Sequence, residues 1–335
     1  MVFLEKLAQR AERAGRRVVL VEGHDERVRG AAARLQEIGH IDPILLVPDD
    51  SVTAPDGWRG PLRCTADDPE LDRFADLYRE VRSAAGEQLT ADEARQAVRD
   101  PLYFAGLMVR AAEADGAVAG ATHATRQVIR AALRTVGTQP NTKMVTGAFY
   151  MVVPSFRGTP EHEVLTFADA GVIPDPDAEQ LVEIAAQAAR MRRVVVGDEP
   201  RIAFLSFSTR GSAETPAVEK MRVAHDLFRE LCPHVAADGE LQADAALIRH
   251  VGQQKAPDSP IAGHANVLIF PDLGAGNIAY KLVERLANAT AIGPILHGLA
   301  RPYNDLSRGA DARSIEWVCY VTALMAAGAG ELPCG

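Results

Sequence analysis

An α/β fold with mainly parallel sheets is what this 335-residue sequence predicts, on three observations. Short apolar runs alternate with amphipathic stretches of helical spacing. Those runs are apolar at consecutive positions, as in strands covered by helices on both faces. The apolar load falls on small aliphatics: hydrophobic residues make up 47% of the chain and aromatics only 5%. The length exceeds one ordinary compact domain, so two domains or one large α/β domain are expected.

Taken in order, residues 18–21 form the first strand candidate, and a helix is expected over 25–37. A strand at 44–47 follows, then helical stretches over 68–83, 91–99 and 102–114. The run 116–119 reads as a strand ending at Gly120, before a helix over 125–136. The middle is richer in strands, with apolar runs at 143–153, 164–167 and 171–173. Asp177 opens a helix in which Leu181, Ile184, Ala185 and Ala188 recur on one face. Strands at 202–205 and 267–270 alternate with helices over 216–231 and 275–286. Residues 291–292 suggest a short strand, and a last helix is expected over 313–327. The stretches 53–59 and 252–263 read as loops.

Charged residues are 24% of the chain, and the formal net charge is −9. That balance argues against nonspecific nucleic-acid binding, which needs a basic surface. It leaves room for anionic substrates, because a local arginine cluster can hold phosphate on an acidic protein. No apolar run approaches the roughly 20 residues that span a bilayer. Charges at Glu5 and Lys6 come too early for a secretory leader, so no membrane partner is expected. Four scattered cysteines give no disulfide framework and no zinc spacing, which suits a cytoplasmic protein. The nine histidines show no paired-ligand spacing, so no metal is expected.

In parallel α/β folds, ligands sit outside the carboxyl ends of strands. Four polar segments lie just after a strand or near one. Residues 120–126 join a strand to a helix, where small residues and helix N–H groups suit an anion; the plain alternative is a turn with Thr125 as cap. Residues 206–212 are rich in hydroxyls but are not a phosphate loop of the GxxxxGK[ST] kind. Residues 274–277 hold the start of a GxG without a dinucleotide fingerprint. In Asn304-Asp305-Leu306-Ser307-Arg308-Gly309 an arginine stands beside serine and glycine, a phosphate-friendly set that is also an ordinary Asx-rich loop.

Set in this order, the segments resemble the phosphate acetyltransferase (phosphotransacetylase) family, within the phosphate acetyl/butyryltransferase group. The resemblance starts at Val21-Glu22-Gly23-His24-Asp25-Glu26-Arg27-Val28, similar to the family's PEG-x-DERV opening. It continues through 115–123, 205–212, 239–246, 265–278 and 293–296 to the loop 304–309. It implies two α/β/α domains like those of isocitrate and isopropylmalate dehydrogenases, with the active site in the interdomain cleft. Residues 1–144 plus 296–335 would form the first, discontinuous domain, and 145–295 the second. It also implies a homodimer, no tightly bound cofactor, and CoA as a substrate beside acetyl phosphate. Ser307 and Arg308 match the family's catalytic serine and phosphate-binding arginine. Arg82 and Arg130 match arginines that bind CoA or phosphate, and Thr125 is placed on the phosphate side by our own inference.

The implied reaction is reversible acetyl transfer between acetyl phosphate and CoA. A thiol of pKa about 8.5 must yield its proton, and the carbonyl oxygen needs fixed donors. One departure concerns the first demand. The family places an aspartate seven residues after the serine, where this chain has Ser314. Asp311 and Glu316 are the nearby carboxylates that would have to substitute. Two other readings stand beside acetyl transfer: a phosphate butyryltransferase, and a relative that binds CoA without turnover.

Overall fold

The computed structural model describes residues 2–140, 142–159 and 161–328. The chain divides into two compact units, one of Leu4–Val145 with the segment from Gly298, the other centred on Thr146–His297.

The first unit begins with α1 (Val2–Ala14), β1 (Arg17–Leu20), α2 (Glu26–Ile38), β2 (Asp42–Val47) and β3 (Leu62–Cys64). Then come α3 (Leu71–Ala84), α4 (Ala91–Val98), α5 (Pro101–Arg110), β4 (Gly116–Ala119) and α6 (Thr125–Thr135). The second unit contains β5 (Thr146–Val153), β6 (Glu163–Ala168), α7 (Ala178–Val195), β7 (Arg201–Leu205), α8 (Pro216–Leu231) and β8 (Ala236–Leu241). It continues with α9 (Ala243–Leu247), α10 (Arg249–Lys255), β9 (Val267–Ile269), α11 (Leu273–Leu286) and β10 (Thr290–His297). The chain then returns to the first unit with β11 (Tyr303–Asp305) and α12 (Ala312–Ala327).

Several helix starts have a visible local cause. Asp25 caps α2 through the Arg27 N–H, Thr90 and Glu93 form a capping box on α4, and Pro101 stands first in α5 behind Asp100. The first sheet has the order β11-β4-β1-β2-β3 and is parallel throughout. Val18, Val19, Leu20, Leu45, Leu46 and Ala117 are buried in it. Each fully buried Val or Leu contributes about 1.5–3 kcal/mol, which is why these runs dominate the pattern.

The second sheet has the order β10-β5-β6-β9-β7-β8, antiparallel at β10-β5-β6 and parallel beyond. Phe149, Met151, Leu165, Phe167 and Leu268 form one of its buried faces, with Tyr280 of α11 stacked on Phe149. All eight residues of β5 are buried, so both of its faces are covered.

Several elements differ from the sequence reading. Residues 171–173 are not a strand: the N–H groups of Gly171, Val172 and Ile173 turn around the Asp169 carboxylate at 2.7, 2.8 and 3.3 Å. β10 is longer than 291–292, because it resumes after a register break between Ile292 and Ile295 at Gly293-Pro294. α10 occupies the start of the stretch 252–263, expected as loop. Cys64 and Cys319 are free thiols, but Cys232 is disulfide-bonded, which the scattered spacing did not suggest. Among the described residues, no helix is long and apolar enough to cross a membrane.

Candidate active site

β11, β4 and β1 are neighbours and parallel, so the segments that follow them emerge side by side at one edge of the first unit. These segments are 21–25, 120–124 and 306–310. Their contacts decide what the candidate residues can do.

Glu22 is 1% exposed and sits within the loop after β4. Its carboxylate accepts the N–H groups of Gly120, Ala121, Thr122 and His123 at 2.9–3.1 Å. His123 Nδ1 lies 2.8 Å away. Burial alone would raise the Glu22 pKa, but the His123 contact and the backbone donors hold it at about 2. The loop expected to offer its N–H groups to phosphate therefore spends four of them on an internal carboxylate. Arg27 ties the neighbouring loops together. Its guanidinium donates to the carbonyls of Arg308 at 2.8 Å, Ala310 at 2.9 Å and Ala121 at 2.9 Å, and to its helix-cap neighbour Asp25.

Ser307 is half-buried, and its Oγ accepts the Gly309 N–H at 3.4 Å. Among the described residues, no imidazole or carboxylate bonds to that hydroxyl. The Arg308 side chain is exposed and makes no ion pair among the described residues. Thr125 opens α6 behind the cap residue Ala124, rather than serving as the cap itself. Its Oγ1 donates to Asp305 Oδ2 at 2.6 Å. Asp305 is fully buried, and its Oδ1 has no hydrogen-bond partner among the described residues. Burial first, and then the charge of Glu22, raise its pKa to about 7, against the lowering pull of Thr125, the Leu306 N–H and Arg308. Gly120 makes room for this carboxyl, because a Cβ there would lie 2.1 Å from Asp305 Oδ1.

The arginines lie elsewhere on the unit. Arg130 is five residues beyond Thr125, about 7.5 Å along α6 and roughly 140° around it. It lines a cavity of about 360 Å³ with Tyr78, Leu89, Glu93, Tyr103 and Arg134. Arg82 joins this region through Glu87, whose carboxylate receives Arg82 at 2.7 Å and Arg134 at 2.8 Å. The structure thus groups Thr125, Asp305, Ser307 and Arg308 around the strand ends, and Arg130 with Arg134 and Arg82 around the cavity.

Neither substitute for the missing aspartate is free. Asp311 caps α12 by accepting the Ser314 N–H at 2.8 Å, a bond that lowers its pKa. Glu316 is 3% exposed, paired with Arg34 at 2.9 Å and bonded by the Tyr320 hydroxyl at 3.3 Å. Asp50, Cys64 and Asp67 lie close enough to share an ion. Burial, then Asp67, raise the Cys64 thiol to about 11, so it stays protonated at neutral pH. Sequence reasoning missed the roles of Glu22, Arg27 and Asp305. All three stand inside motifs that carry the resemblance, yet apart from Asp25 their partners lie 94–283 residues away in sequence.

Comparison with known proteins agrees with these motifs. The profile of the phosphate acetyl/butaryl transferase family matches residues 2–326. A phosphate acetyltransferase from Thermoanaerobacterium thermosaccharolyticum is 42% identical over 330 residues, covering 97% of this chain and 100% of the relative. A phosphotransacetylase crystal structure from Streptococcus pyogenes superposes with a TM-score of 0.85 at 37% identity, covering 96% of this chain and 98% of that one. A Staphylococcus aureus phosphotransacetylase gives 0.84 at 32%, covering 96% and 99%. The chain belongs to the phosphate acetyl/butaryl transferase family.

Proposed function

We propose that the protein is a phosphate acetyltransferase, moving an acetyl group reversibly between acetyl phosphate and CoA. One observation carries this beyond family membership: among the described residues, a serine hydroxyl with no general base bonded to it stands beside an arginine with no ion-pair partner. The first suits a donor to the developing oxyanion rather than a nucleophile. The second suits the phosphoryl group. Arg130 and Arg82 serve the anionic ends of the substrates at the cavity, and Thr125 serves the phosphate side. In this reading the protein is a cytoplasmic homodimer that takes part in acetate metabolism. Residues 1–144 plus 296–335 and 145–295 are its two domains.

Thioester formation from acetyl, propionyl and butyryl phosphates tests the acyl preference. Acetyl phosphate is expected to give the highest kcat/KM, and a preference for butyryl phosphate would make the protein a phosphate butyryltransferase. CoA binding by calorimetry without thioester formation would instead mark a non-catalytic relative. Arg308→Ala is expected to lower kcat/KM for acetyl phosphate on the order of tenfold or more, since a charged hydrogen bond contributes about 1.5–3 kcal/mol. Unchanged kinetics would remove Arg308 from the site.

A further inference from the structure

Acetyl transfer from phosphate to CoA needs a group that takes the thiol proton. Ser314 is not a base, Asp311 is committed to the cap of α12, and Glu316 is committed to Arg34. Asp305 differs from both carboxylates. It is fully buried two residues before Ser307, with one oxygen lacking a partner among the described residues and the other 2.6 Å from the Thr125 hydroxyl. Buried carboxylate oxygens are almost always hydrogen-bonded, because an unpaired buried charge is costly. A carboxyl held with one oxygen bare is one for which gaining a proton is favourable. The pocket is shaped for this, since the bare oxygen fills the space that Gly120 leaves by lacking a side chain. Thr125 is half-buried, so its hydroxyl links the enclosed carboxyl to the exposed edge where Ser307 and Arg308 lie.

We infer that Asp305, acting through the Thr125 hydroxyl, receives the proton of the CoA thiol and returns it to the departing phosphate. Asp305 touches no substrate, so it is a positioning residue for the Thr125 proton. The inference rests on the acetyl-transfer reading above. As the sulfur bonds to the acyl carbon, its S–H bond breaks. That proton passes to Thr125 Oγ1 while the Thr125 proton passes to Asp305 Oδ2. The acyl C–O bond to phosphate then breaks, and the proton travels back across the same two oxygens. The phosphate leaves as hydrogen phosphate dianion rather than as a trianion. Acetyl phosphate dianion and a thiol thus give a thioester and hydrogen phosphate, with no net proton released.

The groups facing Asp305 fit this role. Glu22, following β1, disfavours the carboxylate, and Arg308, following β11, favours it. His123 is bonded to Glu22 and offsets part of that charge. Tyr303 of β11 is buried with its phenol held neutral, and its hydroxyl donates to the Leu102 carbonyl. Asp100, the cap of α5, acts on both Tyr303 and His123. The resulting Asp305 value of about 7 lies close enough to a thiol's ~8.5 for proton transfer in either direction.

The test is thioester formation by the full-length protein between about pH 5.5 and 9.5, a range that brackets both groups. In the wild type, kcat/KM for CoA is expected to fall as pH drops below about 7, where Asp305 is already protonated. Asp305→Asn is expected to move this limb from about 7 up to the thiol's own ~8.5, and to be slower on the order of 100-fold near neutral pH, with CoA affinity retained. Thr125→Val is expected to behave alike, and Thr125→Ser to restore both the rate and the limb. A limb that stays near pH 7 in Asp305→Asn would overturn the inference. So would a Thr125→Val protein as fast as the wild type, or Thr125→Ser as slow as Thr125→Val. If Asp305→Asn does not fold, as judged by circular dichroism, the two Thr125 variants decide the question alone. A wild type that forms no thioester at any pH would refute the acetyl-transfer reading itself, and the relay with it.

Discussion

Glu22→Ala is expected to lower the unfolding free energy by about 3–5 kcal/mol, the range for removing one member of a buried charged cluster. Four backbone N–H groups and the His123 ring lose their common acceptor inside the first unit. Urea denaturation checks this, as a lower midpoint at unchanged slope. A dependence on pH should accompany it. Glu22 is held at about 2 against an ordinary 4.5, so its contribution is complete above 4.5 and is lost as pH falls towards 2. That shift corresponds to about 3 kcal/mol. The His123 pKa is raised, chiefly by its bond to Glu22, so its contribution is complete below 6.5 and is lost as pH rises through the raised value. The pair is therefore fully charged between about pH 4.5 and 6.5, and Glu22→Ala should flatten both limbs of the stability profile.

In the second unit, Arg192→Met should cost about 1.5–3 kcal/mol, the range for a lost charged hydrogen bond, because its partner Asp198 is partly exposed. Arg192 is 2% exposed on α7. Its guanidinium grips Asp198 at 2.7 and 2.8 Å, the Thr166 hydroxyl at 3.1 Å, and the carbonyls of Asn266 and Val164 at 2.8 and 2.9 Å. The side chain thereby links the helix to β6 and to the start of β9. Methionine fills much of the volume but removes the guanidinium donors, leaving the Asn266 carbonyl with the Thr166 N–H at 2.8 Å and Asp198 with the Asn266 amide at 3.3 Å. Arg192→Lys should recover less than half of the loss, because one ammonium cannot match a planar fork with several directions. Thermal unfolding of the three proteins checks the order wild type, Lys, Met. An Arg192→Met protein as stable as the wild type would show that the network contributes nothing net.

What could be read from the sequence follows from how each element is stabilised. The strands at β1, β2, β4, β7 and β9 are apolar at consecutive positions, and that pattern identifies them without help from the rest of the chain. β8 has the sequence Ala-Ala-Asp-Gly-Glu-Leu and escaped notice as a strand. Its Asp238 and Glu240 are buried because Arg210 and Arg222 reach them at 2.6 and 2.9 Å. β11 is likewise a buried strand of polar residues, in which the Asn304 amide donates to the Thr322 hydroxyl at 2.9 Å. β3 lies at the sheet edge with Leu62 exposed, so it carries little apolar signal. The site follows the same rule. Ser307 and Arg308 were legible because their chemistry lies in the side chains themselves. The work of Glu22, Arg27 and Asp305 lies in partners that only the folded chain brings near.

The carboxylate of Glu22 has a further consequence for the substrate binding proposed at the first unit. It is an anion bound permanently to the loop after β4, supplied by the chain itself. The conformational entropy lost in ordering that loop is charged to folding rather than to each encounter with substrate. In the acetyl-transfer reading proposed above, phosphate finds a pre-ordered rim there instead of a segment that must close around it. Calorimetric titration with inorganic phosphate should therefore show only a small entropic cost in the wild type. Salt should weaken the binding steeply, because the attraction comes from exposed guanidinium groups rather than from enclosed backbone donors.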